Sequence, residues 1–411
     1  MERLDQAMFD VVIVGGGMVG ASLALALKPL NLKVAVIEAV GFGSSSQSAY
    51  DDRSVALSYG SSRIYQGMGI WQQLAPQVAP IQHIHVSDRG HFGATRLSAE
   101  QESVPALGYV VESRVLGKLL FEALADSPIE IISPATVYAL EQLTDYAEVK
   151  VERQGVVDSL QTRLLVIADG ANSPLREQLG IKTKQRDYQQ TAIIANVSTE
   201  QPVAGIAYER FTHSGPLALL PMTQDRYSLV WTHKTSEAEA SLALSDAGFL
   251  QKLQQVFGYR QGRFIKAGKR SSYPLSLVKS VAEVQGRAVL IGNASHTLHP
   301  VAGQGLNLAL RDVATLSDLL AAQAGEQADC GAPELLAAYQ AARQPDYASV
   351  VGYTDSLVRL FSASFAPLGH ARAGGLLAVD RIAPLRKLLT QQSMGLRFRQ
   401  SRLARGLALK L

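Results

Sequence analysis

Cysteine is almost missing from this chain. One residue, Cys330, in 411 excludes an internal disulfide framework and any thiolate metal cage, and it suits a reducing cytoplasm. Long hydrophobic runs are missing too. No stretch reaches the roughly 18 apolar residues that a membrane span requires, so contact with a bilayer is expected only from outside. A secretory signal is not seen either: the run Phe9 to Val14 is short, follows acidic residues and leads into glycines rather than a cleavage site. Nor does one sign of charge dominate, because 39 Lys and Arg against 36 Asp and Glu leave only +3. That balance is too mild to argue for nucleic acid. Acid is lacking locally, however. After Asp380 come Arg381, Arg386, Lys387, Arg397, Arg399, Arg402, Arg405 and Lys410 with no further Asp or Glu. With Leu396, Leu403, Leu407 and Leu411 near one helical face, this tail reads either as a solvated helix or as a surface for anionic lipid or an acidic partner.

What is present is an ample supply of apolar residues, 47% of the chain, and a length that suggests two domains or one with a large insertion. Asp10 to Val14 and Lys33 to Ile37 are continuous apolar runs of the kind buried parallel strands need, with a helix from Gly20 to Leu27 between them. That is a βαβ unit. A polar, Ser-rich loop spans Gly43 to Asp52 and, at that length, reads as functional. Val115 to Ala125 reads as a helix, Arg163 to Ala168 and Arg287 to Ile291 as further buried strands, and Gly303 to Ala322 as a long helix. Between about Thr191 and Tyr273 the texture changes. Ala192 to Val197, Ala207 to Phe211 and Tyr227 to Thr232 mix β-branched, aromatic and polar residues, as strands of a separate antiparallel sheet do. The expected fold is therefore α/β, a Rossmann-like dinucleotide domain with an inserted antiparallel sheet and a helical C-terminal tail. The expected division is 1–75, 104–180 and 272–340 for the first domain, 76–103 and 181–271 for the second, and 341–411 for the basic tail.

Gly15-Gly-Gly-Met-Val-Gly20 fits G-x-G-x-x-G, follows a strand and opens a helix, and Glu38 ends the next strand about twenty residues on. Gly15 permits the tight turn, Gly17 lets a pyrophosphate approach the backbone, and Gly20 lets helix and strand pack. The helix N-terminus faces the phosphate, and Glu38 would take the ribose hydroxyls. This fingerprint alone does not separate NAD from FAD.

Two later segments do. They are IADGANSPLR from Ile167 to Arg176, and LIGNASHTLHPVAGQGLN from Leu290 to Asn307. With them the chain resembles, over nearly its whole length, the flavoprotein aromatic hydroxylases with one dinucleotide fold and a short Asp-Gly motif. His299 to Asn307 followed by Asp312 is similar to the ubiquinone-biosynthesis hydroxylases. Val86-Ser-Asp-Arg-Gly-His91 and Phe211-Thr-His-Ser-Gly-Pro-Leu-Ala218 resemble the 2-polyprenyl-6-methoxyphenol hydroxylase branch.

The resemblance implies FAD as cofactor, with Asp169 and Gly170 near its pyrophosphate. It places Arg53 against flavin or its reductant, Arg114 at a cofactor-contacting position, and Pro300, Gly303, Gln304, Gly305 and Asn307 along the flavin ring. Gly303 to Gly305 also begin a helix, whose unpaired N–H groups could steady the anion of reduced flavin. Gly292 and Asn293 stand where the family carries Gly-Asp for the ribityl chain, an exchange that keeps a hydrogen-bonding side chain and loses a charge.

His299 either lies beside the reacting ring as a catalytic group or orients its loop before Pro300. His213 and His233 read as structural, and His83, His85 and His91 lack the carboxylates a metal site would need, so no metal is expected. Trp231, Tyr208 and Tyr273 wall either a pocket or the sheet core. No second dinucleotide motif is found, so NAD(P)H is expected as a transient reductant. The implied reaction is hydroxylation of a prenylated methoxyphenol, para to its oxygen, through a C4a-hydroperoxyflavin. The alternatives are a flavin dehydrogenase or prenyl reductase, and a flavin-bearing subunit active only with other ubiquinone-biosynthesis proteins in a membrane-associated complex. Cytoplasmic location follows, with the inner membrane surface as the site of any docking.

Overall fold

The computed structural model describes residues 8–41, 53–298, 303–323, 329–362 and 366–410. Its first sheet has eight strands. Six of them, Val284–Gln285, Ala288–Leu290, Val156–Ile167, Met8–Val14, Val34–Ile37 and Glu130–Ile132, lie side by side in that order, and Ala147–Arg153 and Thr136–Gln142 extend from Val156–Ile167 at the side. The central pairings are parallel and place Val289, Val166, Ile13, Val36 and Ile131 in one row. Successive side chains point to opposite faces. Val11, Ile13, Val36 and Val166 therefore meet Leu23, Leu27, Leu310 and Val313 of two helices, Met18–Leu27 and Gln304–Ala322. Their neighbours Val12, Val14, Ala35, Leu165 and Ile167 pack on the other side with Val137 and Val149. Burial on both faces is why these strands read as unbroken apolar runs.

The second sheet has nine strands. Eight lie in the order His296–Thr297, Ser271–Ser280, Thr183–Thr199, Arg226–Lys234, Gly215–Met222, Ile206–Thr212, His83–Asp88 and Ala94–Ser98, and Phe264–Ala267 pairs at the side. Helix Asp246–Phe257 covers one face, seating Phe249, Leu253 and Phe257 against Trp231, Tyr227 and Tyr208. Trp231 is thus a core aromatic of the insert, and Tyr208 belongs both to that core and to the wall of a cavity. A small third sheet of Ser54–Ser58, Gly108–Glu112 and Ala79–Ile81 is hydrogen-bonded to neither and packs against both.

Helices Pro333–Ser362, Ala366–Arg381 and Ala383–Ser393 complete the chain, and among the described residues no helix is long and apolar enough to cross a membrane. The last segment departs from the expected helix. Gly395, with φ +70°, turns the chain out of the helical conformation just after Ser393, and Gly406, with φ +75°, turns it again. The tail leucines consequently do not share one helical face. Leu403 and Leu409 are buried in the same core as the parallel strands, while Leu407 is exposed. Leu411 lies outside the described residues.

Candidate functional site

The turn after the first strand is built by its glycines. Gly15 has φ +105°, and a Cβ there would sit 2.4 Å from the Ala168 carbonyl oxygen; one at Gly20 would lie 1.9 Å from the Gly15 oxygen. Gly17 behaves differently, since a Cβ there would meet nothing within 4 Å. It precedes the helix Met18–Leu27, whose start no side chain caps. The backbone therefore borders open space at a positive helix end, which is what a pyrophosphate requires. Glu38 stands over this turn, its Oε2 accepting from Gly16 N–H at 2.6 Å and its Oε1 from Val40 N–H at 2.9 Å.

Asp169 and Gly170 adjoin the same turn, because the strand ending at Ile167 runs beside Val14. Asp169 Oδ2 accepts from the Ser173 hydroxyl at 2.9 Å, whereas Oδ1 is buried without a partner among the described residues. Burial pushes its carboxyl above the usual range. A dry carboxylate oxygen beside this turn suits a ligand hydroxyl or amide donor. Arg176, named in the second motif but given no role there, is buried and donates from Nη1 to the carbonyls of Ala171 and Ala294 at 3.0 Å each. It fastens the second motif to the third.

In that third motif Gly292 has φ +60°, and Asn293 is exposed along the wall of a cavity of about 730 Å³. Gly303, also with φ +60°, opens the helix Gln304–Ala322 without a side-chain cap, and Gly305 lines the same cavity. Gln304 is buried. Asn307 uses every hydrogen-bonding position it has. Its Oδ1 accepts from Ser58 N–H and Ser61 Oγ at 2.7 Å each, and its Nδ2 donates to Ala56 and Gly303 carbonyls at 2.8 and 2.6 Å. It clamps the helix start to the strand Ser54–Ser58.

Arg53 precedes that strand, its guanidinium 4.9 Å from the ring centre of Tyr273. Arg114 is ion-paired with Glu112 at 2.5 Å, and Glu112 also holds Arg226 at 2.8 Å. His299, Pro300 and the Ser-rich loop from residue 43 to 52 lie outside the described residues. His233 is buried against Trp231, and burial holds its imidazole down at about 4.

The cavity was not legible from motifs. It runs from Asn293, Gly303 and Gly305 past Leu97, Leu220 and Phe211 to the C-terminal helices at Leu376 and Leu389, and its wall is overwhelmingly apolar. Its one described carboxylate is Glu209. A second unforeseen feature is the buried set Asp312, Arg343, Asp346, Arg311 and Tyr347 behind the third motif. A charged pair, Arg311-Asp312, set between the buried Leu310 and Val313 was the available signal.

Comparison with known proteins agrees with this geometry. The FAD binding domain family matches residues 8–354. The chain is 38% identical to Ubiquinone hydroxylase UbiL of Rhodospirillum rubrum, across 94% of this chain and 89% of that protein. It is 31% identical to the 3-demethoxyubiquinol 3-hydroxylase of Escherichia coli, across 94% and 98%. Among solved structures, p-nitrophenol 4-monooxygenase PnpA from Pseudomonas putida DLL-E4 has the same fold, with a TM-score of 0.78 at 18% identity over 96% of this chain and 99% of that one. With a family match over most of its length and such relatives end to end, the chain belongs to the FAD binding domain family and, within it, to the FAD-dependent hydroxylases of ubiquinone biosynthesis.

Proposed function

We propose that this enzyme hydroxylates the ring of a polyprenylated methoxyphenol in ubiquinone biosynthesis, using FAD, O2 and transiently bound NAD(P)H. The observation that carries the substrate class is the apolar cavity of about 730 Å³, one end walled by Gly303, Gly305 and Asn293 and the other by the C-terminal helices. A prenyl chain gains about 25 cal/mol for each Å² it removes from water, so such a wall favours it strongly. Bound FAD, once reduced, supplies the electrons by which O2 gives one oxygen atom to the ring.

The chain's own residues hold and orient. In this reading Gly15, Gly17 and Gly20 take the pyrophosphate, Glu38 a ribose, and Asp169 and Gly170 the second side of the phosphates. Gly292, Asn293, Pro300, Gly303, Gln304 and Gly305 border the flavin ring and its ribityl chain. Asn307 acts by fixing the helix start rather than by direct contact, since all its valences are taken. Arg53 and Arg114 would meet flavin or the incoming nicotinamide, and His299 would stand by the reacting ring. The cavity excludes water from the reacting atoms. The domain division at 76–103 and 181–271 belongs to the same proposal, with the strands Ser271–Ser280 and His296–Thr297 carrying the second sheet past residue 271 and the described C-terminal helices closing the cavity.

Such a substrate resides in a bilayer, which makes a docking face part of the reading. Leu377, Ile382, Leu385 and Leu388 are exposed, Ile382 by 47% and Leu388 by 48%, beside Arg381, Arg386 and Lys387. Apolar side chains ringed by cations suit an anionic membrane surface. Leu376 and Leu389, from the same two helices, line the cavity. Other ubiquinone-biosynthesis proteins are the alternative partners for that face.

The test is purification of the protein, release and quantification of its flavin, and assay with a short-chain 2-prenyl-6-methoxyphenol and NADPH. Near-stoichiometric FAD and a product one oxygen atom heavier are expected. FAD turnover with unchanged phenol would overturn the proposal.

A further inference from the structure

Glu209 lies on the strand Ile206–Thr212, between Val86 on one neighbouring strand and Ala218 on the other. Along this strand Ala207, Glu209 and Phe211 alternate onto one face, and all three line the apolar cavity. No bond of the strand accounts for an acid among such neighbours. Its Oε1 is shut off from solvent and has no hydrogen-bond partner among the described residues. Two charged or titratable groups face this region from the helices packed over the strand. Tyr353 comes from Pro333–Ser362, and Arg372 comes from Ala366–Arg381 with its Nε committed to Asp88 at 2.9 Å. Among the described residues no cation is ion-paired with Glu209, and the cavity-lining cation, Arg372, is paired with Asp88. A buried polar atom without a partner costs on the order of 1–3 kcal/mol, more when charged, so its persistence in a ligand cavity points to a ligand that completes it.

We infer that Glu209 receives the ring hydroxyl of the phenol substrate and takes its proton. This rests on the hydroxylase reading given above and deepens it. The phenol O–H bond breaks, its proton passes to Glu209 Oε1, and the electron pair stays on the phenolate oxygen. That oxygen then feeds electron density into the ring carbon that accepts oxygen, and the proton returns to the product. The prenyl and methoxy groups fill the apolar remainder. Burial already raises the Glu209 carboxyl to about 7, the range in which a carboxylate is a competent base near neutrality.

The experiment compares holoenzyme with Glu209→Gln and Glu209→Asp, using the short-chain 2-prenyl-6-methoxyphenol and its O-methyl ether. Glu209→Gln is expected to keep FAD, to lower kcat by about 10²-fold or more, and to lose the acid limb of the kcat profile near pH 7. Glu209→Asp should restore part of the rate and the acid limb. In binding titrations followed by the flavin spectrum, wild type should prefer the phenol to the ether, and Glu209→Gln should not. A Glu209→Gln enzyme with unchanged rate, profile and preference would overturn the inference while wild type still hydroxylates. If wild type itself gives no hydroxylated product, the hydroxylase reading has failed instead.

Discussion

Arg343 donates from Nε to Asp312 Oδ1 at 2.8 Å, joining the helix Pro333–Ser362 to the helix Gln304–Ala322 at a point where both residues are buried. Asp312 Oδ2 accepts in turn from Gly292 N–H at 3.3 Å, and Tyr347 donates to Oδ1 at 2.7 Å. Arg343 also bonds Asp346 at 2.6 Å, which holds Arg311 at 2.6 Å. The third flavin motif is thereby tied to the C-terminal helices. Breaking a buried pair strands its partner, at a typical cost of 3–5 kcal/mol. Arg343→Met should lower stability in urea by about that amount and should release FAD during unfolding. A loss below about 1 kcal/mol, with FAD retained, would show that the pair does not brace the motif.

Asn307→Ala removes four hydrogen bonds, leaves Ser58 N–H buried without a partner and leaves the Ser61 hydroxyl only its bond with Ser58 Oγ at 3.1 Å. At about 1–3 kcal/mol for each unsatisfied buried group, the helix start should loosen from the strand Ser54–Ser58. The expected readout is weaker FAD binding by at least tenfold in equilibrium dialysis. Unchanged affinity would place the clamp outside the flavin site.

The parts fixed by backbone geometry were legible, and the parts fixed by long-range charge pairing were not. Gly15, Gly17 and Gly20 stand out because a turn and a close approach each exclude a side chain, and the parallel strands stand out because both faces are buried. Asp312 and Arg343 are 31 residues apart in sequence, so nothing local pairs them. Glu209 carried a faint signal, an acid on the apolar side of an alternating strand. The tail misled because leucine spacing implied one helix, whereas Gly395 and Gly406 take left-handed conformations that break it.

Stability and docking should separate between that tail and the helices before it. Removing residues 396–411 should destabilise the protein by several kcal/mol, because Leu403 and Leu409 leave the central core. Membrane docking, by contrast, should depend on the two preceding helices. Ile382→Asp with Leu388→Asp should reduce sedimentation with phosphatidylglycerol vesicles at least fivefold while leaving urea stability within about 0.5 kcal/mol, as exposed substitutions usually do. Equal sedimentation of the double variant would remove this face from the proposal.

Glu209 also makes stability depend on pH. Its folded-state value of about 7 lies above the ordinary 4.5 because burial favours the neutral acid. The folded protein therefore holds the proton more tightly than the unfolded chain does. Its contribution is fully present below about pH 4.5 and is lost as pH rises to 7, about 3 kcal/mol in all. Relative to Glu209→Gln, wild type should weaken across that window in urea titrations. Parallel profiles would mean that the carboxyl is solvated.

The most direct test of the central claim is one turnover of holoenzyme with NADPH, the short-chain 2-prenyl-6-methoxyphenol and 18O2, followed by mass spectrometry of the ring product. One 18O atom on the ring, lost when FAD is removed and regained when it is restored, is the predicted result. A product without label, or NADPH consumed with the phenol intact, would contradict hydroxylation as this protein's chemistry.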